Sequence, residues 1–220
     1  MEINADFSQA VSVRPGDIDW IPSPLPGVDR RMLDRIGGEV ARATSIVRYA
    51  KNSRFDRHVH DLGEEFVVLE GVFSDASGDF PAGNYVRNPP GSDHAPWSDE
   101  GCVIFVKLRQ FAADDLERVV VAADTSPHWV PKDDQVSVLP MHKSGDERVA
   151  LLKFEPGSTF PAFGRKGGTE VLVLDGELEM DGEIYPQYSW IRLPDGWTVD
   201  LKSEKGCRLW AKSGHLPPAQ

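Results

Sequence analysis

The chain has 220 residues, 40% of them hydrophobic, and a formal net charge of −11 from 24 basic and 35 acidic side chains. This length allows two domains of about a hundred residues each, and the acidic balance without a basic cluster argues against nucleic-acid and membrane partners. No apolar run approaches the roughly 20 residues of a membrane span, and the polar start Met1–Asn4 lacks a signal-peptide core, so we expect a cytoplasmic protein.

The first half of the chain predicts short antiparallel strands. Residues 1–19 are interpreted as an N-terminal arm, and Trp20–Val28 as an extended lead-in, because its three prolines lack the backbone donors of a sheet ladder. Residues 20–111 then form the first predicted domain. Its predicted strands are Ala43–Tyr49, Arg57–His60, Glu65–Leu69, Asn84–Arg87 and Cys102–Leu108, with a hairpin over Val72–Phe80.

Four residues in this domain have the spacing of a metal site. His58 and His60 are separated by one residue, so they face the same side of a strand, and Glu64 keeps that parity. A Pro89-Pro90-Gly91 turn precedes His94 and could bring it alongside. Three imidazole nitrogens and one carboxylate suit a divalent zinc, iron, manganese or nickel ion. We therefore predict one metal per chain, with zinc favoured, bound by His58, His60, Glu64 and His94.

The second half repeats the scheme after a connector at residues 112–124, in which Val119–Val121 could form one strand bridging the two domains. The second domain is predicted over residues 125–220. Its predicted strands are Arg148–Phe154, Thr169–Leu174, Glu177–Met180, Ser189–Arg192 and Arg208–Ala211.

An internal repeat relates the two halves. A shift of 105 residues superimposes Phe55–Lys107 on Phe160–Lys212 without a gap and gives 14 identities in 53 positions, where chance predicts roughly three. The identities are mainly glycines, prolines and apolar strand positions, so the repeated feature is a backbone shape. Cys102 and Cys207 are one such pair and are interpreted as buried strand residues without a disulfide.

All four metal-ligand positions change together in the second copy. His58 corresponds to Phe163, His60 to Arg165, Glu64 to Thr169 and His94 to Val199. The second domain is therefore predicted to be metal-free, with its centre filled by Phe163 and Val199 or opened as an organic pocket. The neighbouring Glu65 recurs as Glu170, which indicates a structural role and leaves Glu64 as the ligand.

The combined pattern resembles the cupin family. The first cupin motif reads Gly, five residues, His-x-His, three or four residues, Glu, six residues, Gly; here only its opening Gly is absent, where Asn52 or Ser53 stands. The second reads Gly, five residues, Pro-x-Gly, two residues, His, three residues, Asn; here only its closing Asn is replaced, by Ser98. This resemblance implies an all-β fold of two tandem double-stranded β-helix, or jelly-roll, barrels: a bicupin.

Within the cupins, residues 20–108 resemble the cupin domain of ChrR-type anti-sigma factors. The resemblance lies in the run from His58 to Gly71, the hairpin start Phe73–Asp75 and the run from Gly83 to His94. In those regulators a separate helical domain binds the sigma factor. Only about twenty residues precede Trp20 here, and they contain no Cys or His, so we do not expect direct sigma-factor binding.

Two function classes remain open at this stage. One is a metal-dependent module that binds or senses a small molecule; the other is a cupin dioxygenase acting on a small carbonyl or diketone compound. An enzyme needs a further acid or base beside the metal. Tyr85 and Arg87, assigned to opposite faces of their strand, are candidates, although their counterparts Trp190 and Arg192 favour packing and a structural salt bridge. Asp61, Asp93 and Asp99 could also reach the cavity mouth.

The remaining expectations concern other histidines and assembly. His128, His142 and His215 are interpreted as surface or turn residues. The strand residues Val67 and Leu69 are apolar on the outward face, so we expect the other barrel, or a second chain in a homodimer, to cover them.

Overall fold

The computed structural model describes residues 1–217 and divides them into two compact units. The first unit consists of Met1–Ala5 and Asp19–Thr125, and the second of Asp6–Ile18 and the chain from Ser126 onward. Both consist of antiparallel strands and turns, apart from a 3₁₀ turn at Ala123–Thr125. No helix in the described part has the length and apolar character of a membrane-spanning segment.

The first unit has a main sheet and a smaller two-stranded sheet. Along the main sheet, strands Glu2–Ile3, Val28–Gly37, Ala41–Tyr49, Cys102–Leu108, Glu64–Asp75, Asn84–Asn88 and Val119–Ala122 follow one another in that spatial order, and Ile21–Pro22, Ser53–Arg54, Gly78–Pro81 and Trp97–Ser98 pair at its margins. The smaller sheet joins His58–His60 to Ser92–His94. The predicted strand in the connector exists as Val119–Ala122, but it pairs with Asn84–Asn88 inside the first unit and is not the predicted bridge between the two domains.

The second unit repeats this order. Its main path runs Val130–Pro131, Val136–Ser144, Glu147–Phe154, Cys207–Ser213, Thr169–Met180, Trp190–Leu193 and Val11–Val13, with Ser158–Phe163, Glu183–Pro186 and Val199–Ser203 pairing alongside. The strand Val11–Val13 pairs with Trp190–Leu193 at the place that Val119–Ala122 takes in the first unit. Part of the predicted N-terminal arm is therefore a sheet strand.

One long strand in each unit was predicted as two separate pieces. Glu64–Asp75 is continuous: its first half pairs with Cys102–Leu108 and its last residues pair with Gly78–Pro81. The strand bends and changes its pairing partners at Gly71, which has a φ of 70°. A Cβ atom there would lie 2.1 Å from the carbonyl oxygen of Gly101, so only glycine fits the bend. Gly176 makes the same bend in Thr169–Met180, with a φ of 76°.

The inward faces of the strands form an apolar core in the first unit. Phe66 and Val68 face this core, while the outward-facing Val67 is 3% exposed and Leu69 is half-buried within the single chain. The predicted burial of Cys102 is confirmed. The other core residues are Val28, Val47, Phe73, Phe80, Val86, Ile104 and Val106.

Buried charges recur at matching positions of the two units. In the first, Arg87 is fully buried; it donates to Glu65 at 3.1 Å, forms a short ion pair with Asp115 and stacks on Phe111 at 3.8 Å. The structural salt bridge predicted for Arg87 is thereby confirmed. The matching Arg192 of the second unit is also fully buried. It stacks on Phe7 at 4.4 Å and donates to the backbone of Asp6 at 2.9 Å.

Candidate metal centre

The smaller sheet of the first unit brings three histidines together. His94 lies directly opposite His58 in the pairing of Ser92–His94 with His58–His60, and His60 shares the face of His58 because strand side chains alternate. The ring centroids of the three imidazoles are 4.6 to 5.1 Å apart. This is the arrangement that the His-x-His spacing predicted.

A tight turn positions His94. The N–H of Ser92 donates to the carbonyl of Pro89 at 3.0 Å, and Gly91 has a φ of 82°. A proline followed by a residue with positive φ is typical of a type II turn. In the second unit Trp197 donates to Pro194 at 3.2 Å, with Gly196 at a φ of 74°. The turn is therefore part of the repeated backbone, and only the first copy ends it in a histidine.

Glu64 supplies the fourth potential ligand from the first position of the long strand. Its Oε1 atom lies 3.6 Å from Nε2 of His60 and 3.6 Å from Nε2 of His94. One potential ligand atom from each of His58, His60, Glu64 and His94 lies within 4.8 Å of the others. Two atoms bonded to one ion at about 2 Å are separated by roughly 3 to 4 Å, so these four residues form a group that could hold a metal ion.

Hydrogen bonds select the same tautomer in all three histidines. Nδ1 of His58 lies 3.0 Å from the carbonyl of Asp56, Nδ1 of His60 lies 3.2 Å from Ser92 Oγ, and Nδ1 of His94 lies 3.1 Å from Asp75 Oδ2. A carbonyl and a carboxylate only accept, and the Ser92 hydroxyl already donates to Pro89 at 2.6 Å. Each Nδ1 therefore carries the proton, and each Nε2 keeps its lone pair.

The burial of the group fits a resident cation. His60, Glu64 and His94 are 7%, 8% and 8% exposed, whereas His58 is exposed and leaves the group open to solvent on its side. Nε2 of His60 is buried and has no hydrogen-bond partner in the described part of the chain, an arrangement that costs free energy unless a further ligand satisfies it. Burial, reinforced by the neighbouring histidines, lowers the pKa of His60, which favours the neutral, metal-binding form.

Two polar side chains hydrogen-bond to potential metal ligands, and sequence reasoning did not find them. The Asn88 amide donates to Glu64 Oε1 at 3.3 Å. Burial alone would raise the pKa of Asp75, but hydrogen bonds from His94 and Ser77 outweigh it and hold the pKa at about 2. The repeat contained the signal that identifies both residues: Asn88 corresponds to Leu193 and Asp75 to Met180, so both become apolar where the ligands are lost.

The positions of the second unit that correspond to the four ligands carry no metal-binding side chain, and two of them are apolar. Phe163 pairs with Val199, and they are 8% and 9% exposed within a continuous apolar core. Thr169 takes the place of Glu64 and is 2% exposed, and Arg165 is exposed. Of the two predicted arrangements, the structure shows the filled centre.

Tyr49 is a further polar group that sequence reasoning missed. Its ring packs edge-on against Phe73, with centroids 5.9 Å apart, and Phe73 in turn lies 5.8 Å from His94. Burial raises the pKa of Tyr49, and the negative charge of Glu64 adds to the effect, so the hydroxyl stays protonated at neutral pH. Tyr49 is one of the positions at which the two units differ. Its counterpart Phe154 is buried in the apolar core of the second unit.

The other predicted acid–base candidates lie elsewhere. Tyr85 and Arg87 were assigned to opposite faces, but this assignment is wrong, because residues two apart on a strand share a face. Both contact Glu65, which accepts from the Tyr85 hydroxyl at 2.7 Å. The aspartates expected at the cavity mouth form surface ion pairs: Asp61 with Arg109, Asp93 with Arg57 and Asp99 with Arg54.

The expectation for the remaining histidines holds only in part. His128 is exposed, as predicted. His142 is only 7% exposed within the strand Val136–Ser144, and the His215 side chain is buried 3.2 Å from Glu170. The prediction of surface or turn positions was wrong for these two, because no local periodicity marked their burial.

Comparisons with known proteins agree with this architecture. A family model described as the ChrR Cupin-like domain matches residues 8–112 and again residues 117–217. No curated protein matches the chain at a significant level. Two repeats of one cupin domain confirm the predicted fold of tandem cupin barrels.

Solved structures share the fold at low sequence identity. A proposed dioxygenase from Nostoc punctiforme has a TM-score of 0.73 and 15% identity, covering 96% of this chain and 82% of the other. A proposed glyoxylate-induced protein from Pseudomonas aeruginosa has a TM-score of 0.74 and 16% identity, covering 93% and 87%. The Escherichia coli pirin YhhW, solved in complex with nickel(II), has a TM-score of 0.69 and 12% identity, covering 96% and 100%.

Proposed function

Because the chain belongs to the ChrR cupin-like family, we propose that it is a metal-binding bicupin whose first unit holds one divalent transition metal and presents it to a small molecule. His58, His60, Glu64 and His94 would hold the ion, and the second unit would hold none. The observation that carries the proposal is the shared tautomer, which leaves the three Nε2 atoms as ligands. One potential ligand atom from each of the four residues lies within 4.8 Å of the others, and among residues 1–217 the buried Nε2 of His60 has no hydrogen-bond partner.

The ligand atoms limit which metal ions the site could bind. Imidazole nitrogen with one carboxylate oxygen suits zinc, iron, manganese and nickel, and zinc is the ion we favour. Such an ion would supply Lewis acidity toward the oxygen of a bound carbonyl compound. The chain's own contribution is to shape the access route: His58 is exposed, so a small molecule would approach on that side, while the buried Phe73 ring packs 5.8 Å from the His94 ring.

The test is the metal content of protein purified without an affinity tag. Elemental analysis is expected to give one transition-metal ion per chain, because the second unit has Phe163 and Val199 at the ligand positions. Protein reconstituted with excess zinc and then dialysed should give the same ratio. A ratio of zero after reconstitution would contradict the metal centre, and a ratio of two would contradict its restriction to the first unit.

One observation favours a second candidate, a cupin dioxygenase acting on a small diketone. The Tyr49 hydroxyl, which burial and the charge of Glu64 keep protonated, is a group that the second unit lacks, since the corresponding Phe154 has the aromatic ring without a hydroxyl. In an enzyme this hydroxyl would donate a hydrogen bond to a substrate oxygen and hold it in position.

The enzymatic candidate predicts oxygen consumption. Iron-loaded protein should consume dioxygen with a 1,3-diketone, and Tyr49→Phe should lower kcat by about 100-fold, the lower end of what a positioned acid or base contributes. Tyr85→Phe is the matched control: this tyrosine lies in the same unit but donates to Glu65, so kcat should change little. Metal-loaded protein that consumes no dioxygen would leave the binding module as the function.

A further inference from the structure

Asp75 is a buried carboxylate directed at one of the four proposed ligands. It ends the strand Glu64–Asp75, is 5% exposed, and its Oδ2 lies 3.1 Å from Nδ1 of His94. Its other oxygen, Oδ1, accepts from the backbone N–H of Ser77 at 2.7 Å and also from the Ser77 hydroxyl. The turn after the strand therefore fixes the carboxylate in one orientation, with Oδ2 left for the histidine.

The second unit shows that the fold does not require this carboxylate. The equivalent residue is Met180, which ends the strand Thr169–Met180, is 8% exposed and belongs to the apolar core. A carboxylate buried in place of a thioether costs free energy unless it has a specific partner. Asp75 and Met180 therefore differ in charge between the two units, whereas Glu65 and its counterpart Glu170 are acidic in both. Asp75 thus follows the distribution of the metal ligands and differs from the repeated structural charges.

We propose that Asp75 is a positioning residue of the metal centre, acting through His94. Its Oδ2 accepts a hydrogen bond from the Nδ1–H of His94. This hydrogen bond keeps the lone pair on Nε2, sets the plane of the ring and makes the imidazole more basic. This inference rests on the proposed function, since it assigns Asp75 a role toward the ion that His94 would hold.

Asp75→Asn is the informative change, because it keeps the size and reverses the hydrogen bond. The N–H of Ser77 holds an oxygen at the Oδ1 position, so the new amide nitrogen would face Nδ1 of His94. A donor at this place favours the tautomer with a proton on Nε2, and a protonated Nε2 cannot bind the metal there. The affinity for Co²⁺, measured by competition with a chromophoric chelator, should fall by about 10- to 100-fold.

Two comparisons separate positioning from damage to the fold. Asp79→Asn makes the same change in the same hairpin, where the exposed Asp79 accepts from Ser74 at 2.7 Å; it should bind Co²⁺ like the parent. The circular dichroism spectrum and melting temperature of metal-free Asp75→Asn should stay close to those of the metal-free parent, because Met180 shows that the fold does not need this carboxylate. Should Asp75→Asn not fold, Asp75→Glu, which displaces the carboxylate, replaces it and should also weaken binding.

A spectroscopic readout identifies the histidine directly. In the Co²⁺-loaded parent, exchangeable Nδ1–H protons of the three ligands should give three paramagnetically shifted proton resonances, and Asp75→Asn should remove or move one of them. Normal affinity and all three resonances unchanged in Asp75→Asn would overturn the inference while leaving the metal centre intact. A parent protein that binds no Co²⁺ would overturn the proposed function, and the inference with it.

Discussion

Replacing Arg87 with alanine is expected to lower the free energy of unfolding by about 3–5 kcal/mol, the range for breaking a buried ion pair from one side. The guanidinium is fully buried between Glu65 and Asp115 and stacks on Phe111. Its removal leaves two carboxylates in a low-dielectric interior without the positive charge that both contact. Urea-induced unfolding followed by circular dichroism measures the loss.

The matched control for Arg87 is an exposed ion pair of the same residue types. Arg54 pairs with Asp99, and both side chains are more than half exposed, so Arg54→Ala should cost at most about 1 kcal/mol. Equal losses for the two variants would show that the buried cluster does not contribute more than a surface pair, contrary to the prediction.

Replacing His60 with alanine is expected to abolish metal binding while the second unit stays folded. His60 lies in the middle of the proposed ligand set, with its Nε2 3.6 Å from Glu64. A metal ion whose free concentration is 1,000 times its dissociation constant stabilises the folded state by about 4 kcal/mol. Without that contribution, the first unit of the variant should melt at a lower temperature. Elemental analysis gives the metal content, and differential scanning calorimetry gives the transitions.

The second unit offers the control for His60. Arg165 stands at the equivalent position and is exposed, so Arg165→Ala should keep both the metal and the melting profile. The His60→Ala variant should melt like the parent stripped with a chelator. Collapse of every transition in that variant would contradict the prediction, since it would make the metal necessary for the second unit as well.

The sequence predicted those features that depend on backbone restraints. Glycines with positive φ and the Pro-x-Gly turn recur in both halves, so the repeat defined two barrels and placed His94 beside His58. The strand breaks were predicted less well. The pieces Thr169–Leu174 and Glu177–Met180 are one strand, because Gly176 bends the chain without ending its pairing, and a glycine in a pattern of strand residues usually indicates an end or a bulge.

Residues that work through long-range contacts escaped prediction for a different reason. Asp75 and Asn88 bond to His94 and Glu64 across 19 and 24 positions of sequence, so no local motif includes them. Strand Val28–Gly37 was missed because its many charged residues hide the alternation, although Asp34 and Arg35 are buried. What reveals the supporting residues is the difference between the two copies.

The apolar plug of the second unit has a consequence for protein engineering. Grafting His, His, Glu and His onto Phe163, Arg165, Thr169 and Val199 would supply the ligands alone. The new imidazole at position 199 would meet Met180 where Asp75 accepts a hydrogen bond in the first unit, and the one at position 165 would meet Trp197 where Ser92 does. Conversion to a second binding site would therefore require changes to the ligand positions and to the residues that hydrogen-bond to them. Evolution in either direction would pass through intermediates that hold buried polar groups without their partners.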